Sequence, residues 1–267
     1  MTLNKQIPWI LMVMAILVGV RCTEPTAADQ SLVNVLLIDA PGDFDQVWIE
    51  ILGVEILPSG GRGANNSNWV NIPYLSPNKS VLVSDLVADE RLLLGRTEIQ
   101  TGTLSKIRLL LGDSHYVVRD NIQIPLMPTP SMEGLLELEV DFQTAGGISY
   151  DVYLDFNLAL SIVETSNGTF QLKPSLSSFV LQETADISGV LTPNLIKPYV
   201  YAISEADTFA TLTNNTGSFR LRGLPPGDYQ VLVEAPTGLL DTAFMVSMKA
   251  DTLVQLPNII LRPDIPF

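Results

Sequence analysis

Apolar and polar residues alternate with a period of two along much of the chain, which is the pattern of β-strands with one buried and one solvated face. Two such runs are Leu136–Phe142 and Tyr150–Phe156. The segment between them, Gln143–Ser149, contains the pair Gly146-Gly147, which favours a turn. Because strands with one wet face are typical of antiparallel sheets, the pattern predicts that the two runs form an antiparallel hairpin.

Shorter apolar segments upstream predict more strands. Leu32–Ile38 is followed by turn residues, and the alternation of the next strand, Val47–Ile56, slips at Gly53, which predicts a β-bulge. Further strands are predicted at Trp69–Ile72, Lys106–Leu111 and Phe170–Lys173. The segment Asp85–Gly95 fits either a short helix or an edge strand. No segment has the sustained periodicity of an amphipathic helix.

A second group of strands begins near Thr184 and is punctuated by glycine and proline turns. The predicted strands are Ile187–Val190, Tyr199–Ile203, Phe209–Thr213, Ser218–Leu221, Asp228–Glu234, Ala243–Met248 and Asn258–Leu261. Their number and spacing are typical of a small sandwich. The chain is therefore predicted to be all-β, with two β-sandwich-like modules in tandem that are built from antiparallel sheets.

Length, composition and charge narrow the possible functions. The chain has 267 residues, which fits one or two domains, and 46% of them are hydrophobic, which is enough for ordinary cores. Fifteen basic and 29 acidic residues give a formal net charge of −14. Such an acidic surface repels phosphate backbones, so nucleic acid is not expected as a partner. A net negative charge of this size is explained by solubility alone, and it would also suit a cation site or a basic partner.

The first residues have the pattern of an export signal. Lys5 precedes the apolar run Ile7–Val20, which is too short to span a bilayer comfortably. The single cysteine, Cys22, follows this run directly and has no second cysteine for an internal disulfide. Residues 1–22 resemble the signal segment of bacterial lipoproteins, which implies cleavage before Cys22 and acylation of its thiol. Arg21 departs from that pattern, since such signals usually have a small residue there. Residues 23–31 are predicted to be a flexible tether.

Motifs in the first module keep the order and spacing of a known family. They are Asp39–Phe44 with the following Val47–Glu50, Lys106–Gly112, Leu154–Asn157, Ser161–Val163 and Gly168–Pro174. On these motifs, residues 32–178 resemble the bacterial domain family DUF4382. The resemblance implies an exported β-rich domain, and it implies no activity because none is established for the family.

The second module, residues 184–265, has its own recognisable motifs. They are Ile187–Val190, Asn215–Phe219 and Leu221–Tyr229. Gly217 permits a tight turn, and Phe219, Leu224 and Tyr229 are predicted core residues around a Pro-Pro-Gly corner. The module is similar to carboxypeptidase regulatory-like, transthyretin-like sandwiches. This similarity implies an accessory role as a spacer, a stabilising element or a binding surface.

The residues offer little support for catalysis, so the protein is predicted not to be an enzyme. His115 is the single histidine, and it follows Gly112-Asp-Ser114 in a predicted turn at a strand end, where a lone histidine is ordinary. Cys22 belongs to the export signal, which leaves no ligand set for zinc. Glu137, Glu139 and Asp141 share one strand face, which is more typical of a solvated surface than of a glycosidase cleft.

One acidic loop has the density of oxygen ligands that calcium uses. Asp39, Asp43 and Asp45 lie close together after the first strand. Their spacing is not that of an EF-hand loop, and the same residues are good turn formers. Calcium is therefore a possible ligand, and no other cofactor is expected.

Exposed aromatic and polar residues define the expected binding surface. Trp48 lies off the face of Val47 and Ile49, and it is grouped with Arg62, Asn66 and Trp69 as the candidate surface. The alternative is that these aromatic residues fill the sandwich cores.

Together these observations favour a non-enzymatic lipoprotein of the cell envelope with a binding or structural role. The expected partners are an envelope glycan or another protein, with the lipid anchor in a membrane, by default the outer membrane. A pilus or adhesin subunit that assembles by strand exchange is an alternative, and a hydrolase is a more distant one.

Overall fold

The computed structural model describes residues 29–40, 44–59, 69–129, 135–194 and 197–264, and most of these residues lie in β-strands. The prediction of an all-β, sandwich-like protein is therefore confirmed. The first thirteen strands of the described chain form an N-terminal unit. They are β1 (Gln30–Ala40), β2 (Gln46–Ser59), β3 (Val70–Pro73), β4 (Ser80–Leu82), β5 (Leu92–Gln100), β6 (Gly102–Leu111), β7 (Tyr116–Arg119), β8 (Ile122–Pro128), β9 (Leu135–Thr144), β10 (Ser149–Asn157), β11 (Ile162–Glu164), β12 (Phe170–Leu172) and β13 (Leu176–Val180).

The N-terminal unit has two sheets that enclose one core. The smaller sheet has the strand order β13-β10-β1-β5, and the larger has the order β11-β12-β8-β7-β2-β6-β9, with β3 and β4 also paired to β2. Alternate residues of both sheets point inward and form this core, as Val35, Ile49 and Leu109 do. A single helical turn, α1 (Leu158–Ser161), follows β10, and a 3-10 turn spans Val83–Asp85.

The predicted hairpin between the two most regular strands is wrong. β9 pairs with β6 in the larger sheet, whereas β10 pairs with β1 and β13 in the smaller sheet. Each strand does have the predicted buried face, with Phe142 in one and Val152 in the other both in the core. The alternation identified the faces correctly, but the segment between them crosses from one sheet to the other.

The expectation of purely antiparallel sheets also needs correction, because the sheets are mixed. β1 pairs with β10 in parallel, and β8 pairs with β12 in parallel. The reason is visible in β1, which has no wet face over much of its length. Val33, Val35 and Leu37 face the core of the N-terminal unit, while Leu36 and Ile38 on the other face are also buried. A strand that is covered on both faces is typical of parallel pairing.

The predicted bulge in β2 is present at Gly53. The register of β2 against β6 shifts between Ile51 and Gly53, so that Ile51 and Val54 are both buried although they are three positions apart, an odd number. A Cβ atom at Gly53 would lie 2.8 Å from the backbone oxygen of Ile72. Glycine is therefore required where β3 crosses close to the bulge.

Eight strands form the C-terminal unit of the described chain, as two four-stranded sheets. They are β14 (Ala185–Thr192), β15 (Tyr199–Ile203), β16 (Thr208–Leu212), β17 (Ser218–Leu224), β18 (Gly227–Glu234), β19 (Thr242–Met248), β20 (Thr252–Gln255) and β21 (Ile259–Ile260). One sheet has the order β17-β14-β20 with β21 also paired to β14, and the other has the order β16-β15-β18-β19. All seven predicted strands are present, and β20 is additional.

The two units contact each other through arginine side chains of β17. Arg222 is buried and donates two hydrogen bonds to the backbone oxygen of Ala88, at 3.2 and 2.6 Å. Arg220 lies between Asp186 of β14 and Asp89 of the N-terminal unit, at 2.8 and 2.6 Å. Buried guanidinium groups require such partners, so these contacts fix where the C-terminal unit meets the loop after the 3-10 turn.

The Pro-Pro-Gly corner is held by a tyrosine hydroxyl, as well as by the core packing of the predicted residues. Phe219, Leu224 and Tyr229 are all buried in the core of the C-terminal unit. The hydroxyl of Tyr229 donates a hydrogen bond of 2.8 Å to the backbone oxygen of Pro225.

We expect Tyr229→Phe to lower the free energy of unfolding by about 1 kcal/mol, because it removes this partly buried hydrogen bond and leaves the Pro225 oxygen without its donor. Thermal unfolding should show a melting temperature lower by roughly 2–4 °C. Tyr201→Phe is the matched control, because its hydroxyl donates to Glu234 in an exposed position. Equal losses in the two variants would contradict a special role for the corner.

Candidate functional site

The outward face of the larger sheet presents a pair of aromatic side chains. Trp48 of β2 and Tyr116 of β7 are direct cross-strand neighbours. Their rings are half-buried and stacked, with centroids 5.8 Å apart and planes at 17°. The Trp48 Nε1 donates a 3.0 Å hydrogen bond to Gln46, which fixes the orientation of the indole. The inward neighbours Val47 and Ile49 hold β2 in the core, so the aromatic pair lies on a rigid support.

Strand register extends this pair into a larger apolar surface. Leu82 of β4 is the neighbour of Trp48 on one side, and Pro125 of β8 is the neighbour of Tyr116 on the other. Two residues beyond Pro125, Met127 has 59% of its surface exposed. We call the surface of Leu82, Trp48, Tyr116, Pro125 and Met127 the aromatic face.

Glutamine side chains border the aromatic face. Gln46 lies on β2 and Gln123 lies on β8, both exposed, while Gln171 of β12 pairs with Met127. Amide groups of this kind can both donate and accept hydrogen bonds. The surface therefore combines a flat aromatic centre with neutral polar groups at its margin, which suits binding rather than proton transfer.

Trp69 belongs to a different part of the same sheet. It directly precedes Val70, which pairs antiparallel with Ile56, so it lies beside Leu57, roughly 30 Å from Trp48 along β2 at about 3.3 Å per residue. The guanidinium of Arg108 lies over its ring at 3.7 Å. Arg108 also forms ion pairs with Glu137 and Glu55 at 2.8 and 3.7 Å. One face of the Trp69 ring is therefore occupied by the protein itself.

The structure does not bring the four residues of the predicted binding surface together. Arg62 and Asn66 lie outside the described residues. Trp48 is partly exposed as expected, and its partner is Tyr116 rather than Trp69. Sequence reasoning missed Tyr116 because nothing in the sequence states that β7 pairs with β2.

The three aspartates of the predicted calcium loop have unlike environments where they are described. Asp39 is buried, whereas Asp45 is exposed and accepts a 2.9 Å hydrogen bond from the backbone N–H of Asp120. Asp43 lies outside the described residues. Within the described ranges, no group of three histidine, cysteine, aspartate or glutamate residues has the arrangement of a metal site. Calcium binding by Asp39, Asp43 and Asp45 stays a prediction.

The carboxyl group of Asp39 is in an unusual environment at the end of β1. Its Oδ1 accepts a long hydrogen bond of 3.4 Å from the backbone N–H of Leu158, and its Oδ2 is buried without a partner among the described residues. Burial raises the pKa of Asp39 well above its ordinary value of 3.8, and the carboxylate of Asp155 raises it further against the smaller effect of the Leu158 hydrogen bond. Asp39 therefore favours the neutral acid in the folded protein.

A polar cavity of about 600 Å³ lies where the two units meet. Asp39 and Asp155 of the N-terminal unit and Arg220 and Arg222 of the C-terminal unit line it. The two arginines are engaged in the contacts between the units. The cavity thus has two acidic groups on the wall of the N-terminal unit, and paired arginines together with Asp207 on the wall of the C-terminal unit.

His115 is a buried residue rather than an exposed turn residue. Only 4% of its surface is exposed, and its Nδ1 accepts a 3.1 Å hydrogen bond from the backbone N–H of Glu50. The Glu50 carboxylate in turn accepts from the N–H groups of Asp113 and Ser114, each at 2.9 Å. Burial lowers the pKa of His115, which favours the neutral imidazole. Through its Nδ1, the residue links β2 to the loop before β7.

We expect Asp39→Asn to stabilise the protein at neutral pH. The folded state holds a proton that the unfolded chain releases, so stability falls as the pH rises from 3.8 through the raised folded-state pKa. Each unit of that rise costs about 1.4 kcal/mol, and asparagine avoids the cost while still accepting from Leu158. Urea unfolding from pH 4 to 8 should show a flatter profile for Asp39→Asn than for the wild type.

The exposed Asp141→Asn variant is the control for a general change in charge, and its profile should follow the wild type. A profile of Asp39→Asn that runs parallel to the wild type would mean that the Asp39 carboxylate is not held neutral by the fold.

Comparison with known proteins identifies the N-terminal unit. The two mixed sheets around one core define an all-β domain without an evident catalytic constellation in its described residues. The model of the family DUF4382, a domain of unknown function, matches residues 30–174, which is more than half of the chain. The chain belongs to this family, and the resemblance of residues 32–178 is confirmed. No curated protein matches the chain.

Several solved structures are similar to parts of the chain at low identity. A chain of a type II cohesin–X-dockerin complex from Acetivibrio cellulolyticus is 18% identical over 29% of this chain and 56% of its own length, with a TM-score of 0.24. The Bacillus anthracis TIE protein is 12% identical over 95% and 44%, with a TM-score of 0.26. The minor pilin GBS52 of Streptococcus agalactiae is 10% identical over 89% and 97%, with a TM-score of 0.25.

These similarities have limited weight. The chain spans 56% of the cohesin–dockerin chain and 44% of the TIE protein, so neither whole protein is covered. At TM-scores of 0.24 to 0.26, none of the three supports an argument about fold or function.

Proposed function

We propose that this protein is a non-enzymatic, lipid-anchored component of the bacterial cell envelope that binds an envelope glycan through the aromatic face. The observation behind the proposal is the stacked pair of Trp48 and Tyr116, half-buried on the outward side of a sheet whose inward side is fully packed. Each ring of the stacked pair covers one face of the other, and the half-exposed remainder of both rings can contact the apolar face of a sugar ring, while the glutamine margin offers hydrogen bonds to hydroxyl groups.

A protein partner is the second candidate, and a specific observation favours it. Met127 on β8 is 59% exposed at the margin of the aromatic face, and such an aliphatic group adds area that a polar glycan would leave wet. Binding that persists in excess free sugar but is lost on changing Met127 would favour the protein partner.

The absence of enzymatic activity is part of the proposal. His115 is buried and its Nδ1 accepts from a backbone N–H group, so it is not placed as a general base for an exposed substrate. The alternative of a pilus or adhesin subunit remains a hypothesis that requires strand exchange between copies, and a hydrolase is the least favoured reading.

The proposed location of the protein in the cell envelope is based on its N-terminal sequence. Residues 1–28 lie outside the described residues, and none of the helices in the described part of the chain has the length and hydrophobicity needed to cross a bilayer. We propose that Cys22 carries the lipid and that the outer membrane holds the anchor. The predicted tether of residues 23–31 is too long at its C-terminal end, because β1 begins at Gln30 and Ser31 is buried, so we propose residues 23–28 as the tether. The C-terminal unit would act as a carboxypeptidase regulatory-like spacer or docking module.

The variants Trp48→Ala and Tyr116→Ala test the binding surface. Each should weaken binding to purified envelope polysaccharide at least tenfold, because removing one ring takes away its stacking contact and the support of the other ring. Isothermal titration calorimetry or a glycan array with the full chain provides the measurement. Trp69→Ala is the matched control, because Arg108 already covers that ring.

Equal binding by the wild type and both aromatic variants would reject the aromatic face as the site. Equal losses in Trp48→Ala and Trp69→Ala, accompanied by lower melting temperatures, would point to a general effect on folding instead.

The variant Cys22→Ala tests the anchor. We expect wild-type protein expressed in a Gram-negative host to fractionate with membranes and to have the mass of a cleaved, acylated chain. Cys22→Ala should be released from the membrane, because a lipid on the cysteine thiol is the proposed anchor. Intact-mass measurement and fractionation check both forms. Unmodified, freely soluble wild-type protein would remove the anchor and implicate Arg21.

A further inference from the structure

Strand β19 forms an open edge of the C-terminal unit. It pairs with β18 on one side, and no strand of the described residues pairs with its other side. In an antiparallel pair, backbone N–H and C=O groups of alternate residues point away from the partner strand. β19, which spans seven residues, therefore presents a row of backbone donors and acceptors at the surface.

Such an edge is usually protected against pairing, and β19 lacks the usual protection. Charged residues, prolines and bulges are the common devices that blunt an edge strand. The ten-residue edge strand β9 follows this rule, because Glu137, Glu139 and Asp141 are spaced along it. β19, with the sequence Thr-Ala-Phe-Met-Val-Ser-Met, contains no charge and no proline, and its register against β18 has no shift.

The side chains of β19 are suited to pairing on both faces. Phe244, Val246 and Met248 point towards the core of the unit, whereas Met245 on the opposite face has 69% of its surface exposed. Beside the strand, a groove of about 740 Å³ contains the exposed side chains of Leu240 and Ile260. A strand added at this edge would cover apolar surface as well as backbone groups.

The residues next to the two ends of β19 indicate which strand would fit. Asp241 precedes the strand and Lys249 follows it, and both are exposed. If two copies of β19 pair antiparallel about a two-fold axis at Met245, Asp241 of each copy lies opposite Lys249 of the other, because 241 and 249 are equally far from 245. The uncharged strand is also one place where chains of net charge −14 can approach without facing like charges.

We infer that β19 is a self-association edge, at which two copies of this chain pair antiparallel around Met245 to join their four-stranded sheets into one eight-stranded sheet. The interface is isologous, so it closes as a dimer and leaves neither copy of β19 exposed. The inference does not depend on the proposed glycan binding, which uses the N-terminal unit.

Sedimentation of the full chain in a non-ionic detergent tests the dimer. The wild type should show a reversible monomer–dimer equilibrium that Met245→Lys weakens at least tenfold, because two lysines would face each other at the two-fold axis. The matched control is Val190→Lys, on the other sheet, where the side chain is 41% exposed. It should leave the equilibrium unchanged.

A wild type that stays monomeric at 100 µM, or a Met245→Lys variant that dimerises like the wild type, would overturn the inference. Both variants replace exposed side chains, so folding should survive, and circular dichroism checks this. If this edge pairs with a strand of another protein instead, the purified wild type would sediment as a monomer, and the inference would be overturned.

Cysteine cross-linking in a Cys22→Ala background tests the register. Met245→Cys alone should form a disulfide-linked dimer under mild oxidation, since the two residues face each other directly. Ala243→Cys alone should not, but a mixture of Ala243→Cys and Ser247→Cys chains should cross-link, because those positions pair across the axis. Cross-linking of Val190→Cys to the same extent as Met245→Cys would indicate random collision and would overturn the inference.

Discussion

The backbone pairing of β2 is the constraint on which the rest of the N-terminal unit depends. This fourteen-residue strand pairs with β6 and β3 at one end and with β7 and β4 at the other. Its inward residues hold the core, and its outward residues include Trp48. The bulge at Gly53 adds one residue to β2 near the point where its partner strands change. Because of this extra residue, Val54 points into the core, as Ile51 does. The same alternation that stabilises the sheet therefore presents the aromatic face.

The smaller sheet is packed on both sides, since its strand β1 is buried on both faces. Its second face carries Leu36 and Ile38 with Tyr153 and Phe179, whose rings stack at 5.1 Å. The guanidinium of Arg222 lies 5.8 Å from the Tyr153 ring and donates to Ala88, so charge, aromatic and backbone groups meet at the contact between the units. Burying the Asp39 carboxyl nearby would cost more stability if the group were charged. Its raised pKa favours the neutral acid, which reduces the cost of burial.

Local pattern predicted most of the long strands, but it missed several shorter ones, such as β4, β7 and β8, and it predicted partners poorly. The period of two in Leu136–Phe142 and Tyr150–Phe156 depends on each strand alone, so both were found with the correct faces. Their pairing depends on distant residues, 31 positions apart between Ile107 and Leu138 and 117 between Leu37 and Leu154, and no short-range signal encodes it. The pattern does not predict β20 because four residues show too little alternation, and it does not predict the burial of His115 because the hydrogen bond to the backbone N–H of Glu50 joins residues 65 positions apart.

The candidate binding surface was likewise predictable only where it depends on a single strand. The outward position of Trp48 could be read from its neighbours Val47 and Ile49, whereas Tyr116 became its partner only through the register of β7. Trp69 was grouped with Trp48 by residue type, and the sheet places it near Arg108 instead.

The aromatic face and the edge of β19 lie on different units, so neither use obstructs the other. A single aromatic pair offers a small contact area, and affinity for one sugar unit would be modest. Two copies joined at β19 and anchored to the same membrane would present two aromatic faces to one repetitive polymer. Binding of the second face would then be intramolecular, which raises avidity without any new contact. Self-association through an unprotected edge strand, which is a hazard in a freely diffusing protein, would in this arrangement strengthen weak binding at the cell surface.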